Sequence, residues 1–241
     1  GADVLLVARG IFDSRARARA AIEAGFVIAD GVKVTKPAEM LEEHVQFRAK
    51  AAHPWVGRGG IKLDHALTLW PVPVADRIVV DLGASTGGFT EVLLSRGAAK
   101  VYAVDVGRDQ LHASLAEHER VVDLSGTDAR LLDTSWIAED PDLIVSDVSF
   151  ISMTKALPAA LELAPAGADL VTLVKPQFEA GREHVGKGGL VKDPETIARV
   201  HREIITFLEE SGWTVMGQAE SPITGGDGQV EGLLWARSEE H

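Results

Sequence analysis

Residues 79–97, VVDLGASTGGFTEVLLSRG, decide how the rest of the chain is read. The stretch begins as a buried strand that closes on an acid, Asp81. A glycine-rich turn follows, with Gly83, Gly87 and Gly88, and then a helix. Glycines let a ligand approach the backbone closely. The spacing is D-x-G-x-x-x-G-G, which differs from the G-x-G-x-x-G of a pyrophosphate seat.

Outward from this turn, the chain repeats the same alternation. RIVVDLG (77–83), KVYAVDVG (100–107), RVVDL (120–124), DLIVSDVSF (142–150) and DLVTLVKP (169–176) are short β-branched runs separated by helical stretches. Alternation of this kind predicts a doubly wound, mostly parallel α/β sheet. IKLDHALTLW (61–70) reads as an amphipathic helix ahead of the first strand. PETIARVHREIITFLEESG (194–212) reads as a long one, closed by Gly212. WTVMGQAESP (213–222) and VEGLLWARS (230–238) read as two strands joined directly by the turn-rich ITGGDGQ (223–229), which requires an antiparallel pair.

Residues 1–50 form a different, small α+β unit. SRARARAAIEAG (14–25) has Ser14 as N-cap and Gly25 as a stop. FVIADGVKVTKP (26–37) predicts a hairpin on Asp30-Gly31. AAHPWVGRGG (51–60) reads as a linker, because Pro54 disfavours helix before it and three glycines follow. Residues 61–241 then make the large domain.

The composition narrows the function classes. There is no cysteine, so disulfides and thiolate metal sites are excluded, and a reducing, cytoplasmic setting fits. No apolar run approaches the ~18 residues of a membrane span, and GADVLL, with no basic n-region ahead of an apolar h-region, is not expected to begin a signal peptide. The eight histidines are scattered, and no metal site is expected. The net charge of −12 argues against nucleic acid, but its distribution does not. Residues 1–62 hold ten Lys and Arg against seven Asp and Glu, and the remainder holds 14 against 29. Such asymmetry marks a basic segment on an acidic body.

D-x-G-x-x-x-G-G after a strand resembles motif I of the class I, Rossmann-like methyltransferases. That resemblance implies S-adenosylmethionine as cofactor, held by Asp81, Gly83, Ser85, Thr86, Gly87, Gly88 and Phe89 around its amino-acid end. Asp105, with Val106 beside it, ends the next strand, where a carboxylate can accept both ribose hydroxyls. Leu111 and Asp128 are the candidates for the adenine. A nicotinamide-binding Rossmann fold is the alternative.

Asp147 ends the fourth strand and Lys175 the fifth. In the usual methyltransferase order the reversed last strand inserts beside the fifth, so its first residue, Glu231, starts at the same edge. Lys62, on the helix before the first strand, can reach that rim. The expectation is four ionic side chains around the donor methyl, with no metal required. A ribose hydroxyl is a poor nucleophile until its proton is removed, and a neutral lysine can remove it.

Lys62, Asp147, Lys175 and Glu231 resemble, in chain order, the Lys-Asp-Lys-Glu tetrad of the FtsJ-type ribose 2′-O-methyltransferases. DLGASTGGFTEVLL, SFIS, LVKPQFE and VEGLLW resemble most closely the TlyA family, whose members are named haemolysin A or ribosomal RNA cytidine-2′-O-methyltransferase. WVGRGGIKL is similar to that family's basic Gly-Lys segment, and residues 14–37 to its S-four RNA-binding domain. The resemblance implies methylation of ribosomal RNA or ribosomal subunits, with Arg15, Arg19, Lys33, Lys36 and Arg58 as phosphate contacts. A membrane-active cytolysin would need a basic amphipathic helix or apolar hairpin, and neither is present. A non-catalytic RNA-binding module on the same fold is a further alternative, and an N- or C-methyltransferase of small molecules is another, with DVSF (147–150) standing where a base-flipping motif would be.

Overall fold

The computed structural model describes residues 1–239. The chain divides into two compact units after Arg58.

The first unit contains α1 (Ala2–Ala8), α2 (Arg15–Glu23), β1 (Val27–Ala29), β2 (Val32–Lys33) and β3 (Phe47–Ala49). Ser14 caps α2 by accepting a hydrogen bond from the Arg17 N–H at 3.2 Å. Gly25, at φ +81°, lets the chain leave that helix in a left-handed turn. The Asp30-Gly31 turn joins β1 and β2 antiparallel, and β3 pairs on the other side of β1. Leu6, Ala18, Ile22, Val27 and Val34 fill the core. Neither α1 nor β3 stood out in the sequence. β3 has three residues, too few for an alternating pattern, and its place is set by pairing with β1.

The second unit opens with α3 (Gly59–Leu69). Gly59 and Gly60, expected in the linker, form the first turn of this helix. Backbone N–H groups there have no intrahelical partner, so glycine's weak helix propensity matters least. The strands are β4 (Ile78–Leu82), β5 (Lys100–Asp105), β6 (Val121–Ser125), β7 (Leu143–Ser146), β8 (Asp169–Val174), β9 (Trp213–Glu220) and β10 (Gly232–Ser238). The remaining helices are α4 (Gly88–Ser95), α5 (Ala113–Ala116), α6 (Met153–Ala156), α7 (Pro158–Leu163) and α8 (Pro194–Glu210).

The sheet order is β6-β5-β4-β7-β8-β10-β9. The strands from β6 to β8 pair in parallel, and β10 runs antiparallel to both of its neighbours. The doubly wound, mostly parallel sheet is the one expected from the alternation, and the place of β10 is the one that the family resemblance implies. Every residue of β8 is buried, as a strand covered on both faces requires. β9, at the edge, alternates instead. Thr196, Val200, Ile204 and Leu208 are the buried residues of α8, at a spacing of four that lays one stripe on the sheet. The strand order reverses between β4 and β7. In open α/β sheets a ligand crevice forms there, beyond the carboxyl ends of the strands.

Candidate active site

A cleft of about 370 Å³ opens at that reversal. Among its lining residues are Gly83 after β4, Asp105 and Val106 at the end of β5, Asp128 after β6 and Asp147 after β7. Gly83 has φ +75°, and a Cβ there would strike the carbonyl oxygen of Asp147. Glycine is therefore what lets the turn after β4 lie against the turn after β7. Ser85, also lining the cleft, adopts φ +50°. Its N–H donates to Asp105 Oδ2 at 2.8 Å, and the Gly107 N–H donates to Oδ1 at 2.8 Å. The Asp105 carboxylate is thus aimed by backbone donors rather than by a cation.

Asp128 is held by Arg130, whose side chain approaches to 2.6 Å and whose N–H donates at 2.9 Å. Those hydrogen bonds keep its carboxyl below the usual carboxylate range. Asp81 is fully buried. Its Oδ2 accepts from Thr90 Oγ1 at 2.7 Å, while Oδ1 is buried without a partner. Burial pushes the Asp81 carboxyl up to about 7, helped by the charges of Asp147 and Asp105. A buried acceptor with nothing to accept from fits a donor supplied by a ligand.

Asp81 and the remaining residues expected to hold the cofactor's amino-acid end, Thr86, Gly87, Gly88 and Phe89, do not line the cleft. Gly87 is the left-handed N-cap of α4, Gly88 and Phe89 are buried in its first turn, and the Thr86 carbonyl accepts from the His112 N–H at 2.9 Å. Leu111 lies against Gly87. The cleft is lined in addition by Gly107, Gln110, Thr127 and residues 148–151. In the sequence SFIS (149–152) stands out only as part of the family resemblance, because a turn that departs from regular geometry leaves no periodic signal. Phe150 is 90% exposed, with φ +64°.

The four ionic residues form two pairs. Lys62 Nζ donates to Glu231 Oε1 at 2.7 Å, and both side chains are buried. Lys175 Nζ stands 2.5 Å from Asp147 Oδ1 and donates to Ser149 Oγ at 2.9 Å. The sheet brings the pairs together. Gly232 pairs with Val174, so Glu231 and Lys175 flank the same rung of the ladder. A Cβ at Gly59, which opens the helix of Lys62, would lie 3.5 Å from Asp147 Oδ2. Gly225 gives Glu231 its space, since a Cβ there would come within 2.7 Å of Oε2. Asp147 is the member of the group that also lines the cleft.

In the first unit Arg15, Arg19, Lys33, Lys36 and Arg58 are exposed. Arg15 is engaged with the buried Asp3 at 3.1 Å. Arg17, facing away from Arg15 and Arg19, donates to the Pro54 carbonyl at 2.7 Å and anchors the segment after β3.

Comparison with known proteins agrees with this fold. The FtsJ-like methyltransferase family model matches residues 55–238, and the S4 domain model matches residues 2–46. The 16S/23S rRNA (cytidine-2′-O)-methyltransferase TlyA of Mycobacterium tuberculosis (strain ATCC 25618 / H37Rv) is 45% identical over 239 residues, 98% of this chain and 89% of its own. Hemolysin A of Brachyspira hyodysenteriae is 38% identical over 232 residues, 96% of this chain and 97% of its own. A solved structure named as a hemolysin from Streptococcus thermophilus superposes with a TM-score of 0.79 at 38% identity, covering 99% of this chain and 88% of that one. Among the described residues here, no helix is long and apolar enough to cross a membrane. With a cleft at the sheet reversal, an S4 domain ahead of it and a family match spanning most of its length, the chain belongs to the FtsJ-like methyltransferase family.

Proposed function

We propose that this chain transfers a methyl group from S-adenosylmethionine to a ribose 2′-hydroxyl of ribosomal RNA, cytidine being the expected nucleoside. The relative named for that reaction, at 45% identity over nearly the whole chain, supports the substrate class. The observation that carries the reading is the double role of Asp147, which lines the cleft and pairs with Lys175 at 2.5 Å. A group that removes a proton then stands beside a pocket for a methyl donor.

S-adenosylmethionine supplies, when bound, an electrophilic methyl on a sulfonium. The residues present fit it. Asp81 Oδ1 is a buried acceptor without a partner, suited to a cationic donor. Asp105 offers a carboxylate already oriented by two backbone N–H groups, suited to paired ribose hydroxyls. Asp128 is a further acceptor at the cleft.

Lys175, in its neutral form, accepts the 2′-hydroxyl proton as the oxygen attacks. Asp147 and Ser149 fix its nitrogen, so the base does not have to be found by a free side chain. Lys62 and Glu231 neutralise each other and hold the start of β10 against α3. Arg15, Arg19, Lys33, Lys36 and Arg58 would meet RNA phosphates, which position a substrate without reading its sequence.

The test uses tritiated S-adenosylmethionine, the full chain and purified ribosomal subunits, with nuclease digestion of the labelled RNA. The expected result is label on a ribose 2′-oxygen. Label on a base, or none in either subunit while the cofactor binds, would overturn the reading.

A further inference from the structure

Lys175 and Asp147 sit on two turns that run side by side, and the two turns are fastened at their far ends as well. Glu179, four residues after Lys175, accepts from Ser152 Oγ at 2.7 Å on one oxygen and from the Met153 N–H at 2.8 Å on the other. Between the fastenings, the Phe150 and Phe178 rings meet with centroids 4.9 Å apart. The segment from Asp147 to Met153 is therefore tied to the segment from Lys175 to Glu179 in three places. Residues 147–151 of that segment all line the cleft.

We infer that Glu179 is a positioning residue for methyl transfer, its carboxylate clamping the cleft-lining turn 147–153 onto the turn that carries Lys175. This rests on the function proposed above.

Three observations favour a clamp over a plain helix cap. First, α6 already has a local cap, because Ser152 Oγ accepts from the Thr154 N–H at 3.2 Å. Glu179 comes from 26 residues away and joins two segments that the local cap does not join. Second, Phe150 holds φ +64° without being glycine. A bulky residue stays in the left-handed region only where its surroundings over-determine it. The ties at 147, 149, 152 and 153 bracket it on both sides. Third, Glu179 is half-buried, and burial pushes its carboxyl up, with Glu203 as a further like charge. Among the described residues no Lys or Arg forms an ion pair with it. An acid kept there has both oxygens occupied by neutral donors from one turn, which is what a strut needs.

The position matters because a reacting group displaced by ~1 Å can lose ~100-fold in rate. Two substitutions separate hydrogen bonding from charge. Glu179→Met keeps the volume and removes the acceptors. Glu179→Gln keeps an acceptor for the Met153 N–H and can donate to Ser152 Oγ. The assay is transfer from labelled S-adenosylmethionine to ribosomal subunits, with both substrates saturating. Hydrogen exchange of the amides of residues 149–153 is measured in the same proteins.

Expected are a fall in kcat of about tenfold or more for Glu179→Met, and a value within about threefold of wild type for Glu179→Gln. Exchange should be faster in 149–153 for the Met variant alone, with residues 1–58 unchanged. Wild-type kcat in Glu179→Met, or a Gln variant as poor as the Met variant, would overturn the proposal. If the wild type itself transfers no methyl group, the functional reading fails. The exchange data then decide the clamp separately, and unchanged protection in Glu179→Met would remove it.

Discussion

Lys62 and Glu231 are 169 residues apart in the chain, and their side chains meet at 2.7 Å, both out of reach of water. Neither belongs to the strand ends that the parallel sheet alone would bring together. Lys62 comes from the helix before β4, and Glu231 from the residue before β10. Another buried ionic group of this unit shows the contrast. Asp169, at the start of β8, is held by Arg77 at 2.8 Å, Arg237 at 3.3 Å and the Trp235 indole N–H at 2.8 Å. It sits at the opposite edge of the sheet from the cleft and serves the framework.

Removing one partner of the Lys62–Glu231 pair should be costly. Glu231→Ala leaves Lys62 buried and uncompensated, and is expected to lose about 3–5 kcal/mol of unfolding free energy. Lys62→Met combined with Glu231→Leu should recover most of it, because two apolar groups need no partner. Chemical denaturation of the three proteins measures this.

Lys175 is expected to behave differently. It does not line the cleft, so Lys175→Ala should bind S-adenosylmethionine with nearly wild-type affinity by calorimetry. Loss of a positioned base should lower kcat by about 100- to 10,000-fold. Lys175→Arg should not rescue, since a guanidinium does not give up its proton.

Asp81 gives a pH signature. Its carboxyl titrates near 3.8 in the unfolded chain and at about 7 when folded. Between those values the unfolded state has released a proton that the folded state keeps, so this group lowers stability as pH rises through the window. Above about 7 the penalty is complete. Relative to wild type, Asp81→Asn should gain stability from pH 4 to 7 and then level off, as read from unfolding curves at each pH. A cationic ligand group favours the ionised acid. Cofactor binding near pH 6.5 should therefore release a proton in the wild type and not in the variant, detectable by calorimetry in buffers of different ionisation enthalpy.

Arg19 and Lys36 of the first unit should act on binding alone. Arg19→Glu and Lys36→Glu are expected to weaken RNA binding and to reduce the slope of log K against log salt by about one per phosphate contact. Turnover at saturating RNA should not change. Arg15→Ala should also lower the melting temperature, because it leaves the buried Asp3 without its partner.

The sheet was legible because each strand from β4 to β8 is a short β-branched run between helical segments, and periodicity survives in a single sequence. The insertion of β10 between β8 and β9 was legible only through family resemblance, since nothing in VEGLLWARS itself names its neighbour. The ionic group followed from that order. The pairing inside it did not: four charges at one rim permit more than one match, and side-chain reach decides. The lining residues 148–151 were missed as geometry because the turn follows no period. Glu179 was hidden for a related reason, as an acid in a polar turn looks the same whether it faces water or a neighbouring segment.

The reach of the Lys62–Glu231 contact has a consequence for refolding. It closes a loop of nearly the whole second unit, and β10 can enter only when β8 stands ready to receive it. Long-range closures of this kind come late, after their entropy has been offset by other contacts. No partly folded species of this chain can then hold all four charges in place. Recovery of catalytic power after dilution from denaturant should lag behind recovery of helix signal, with no early burst of turnover.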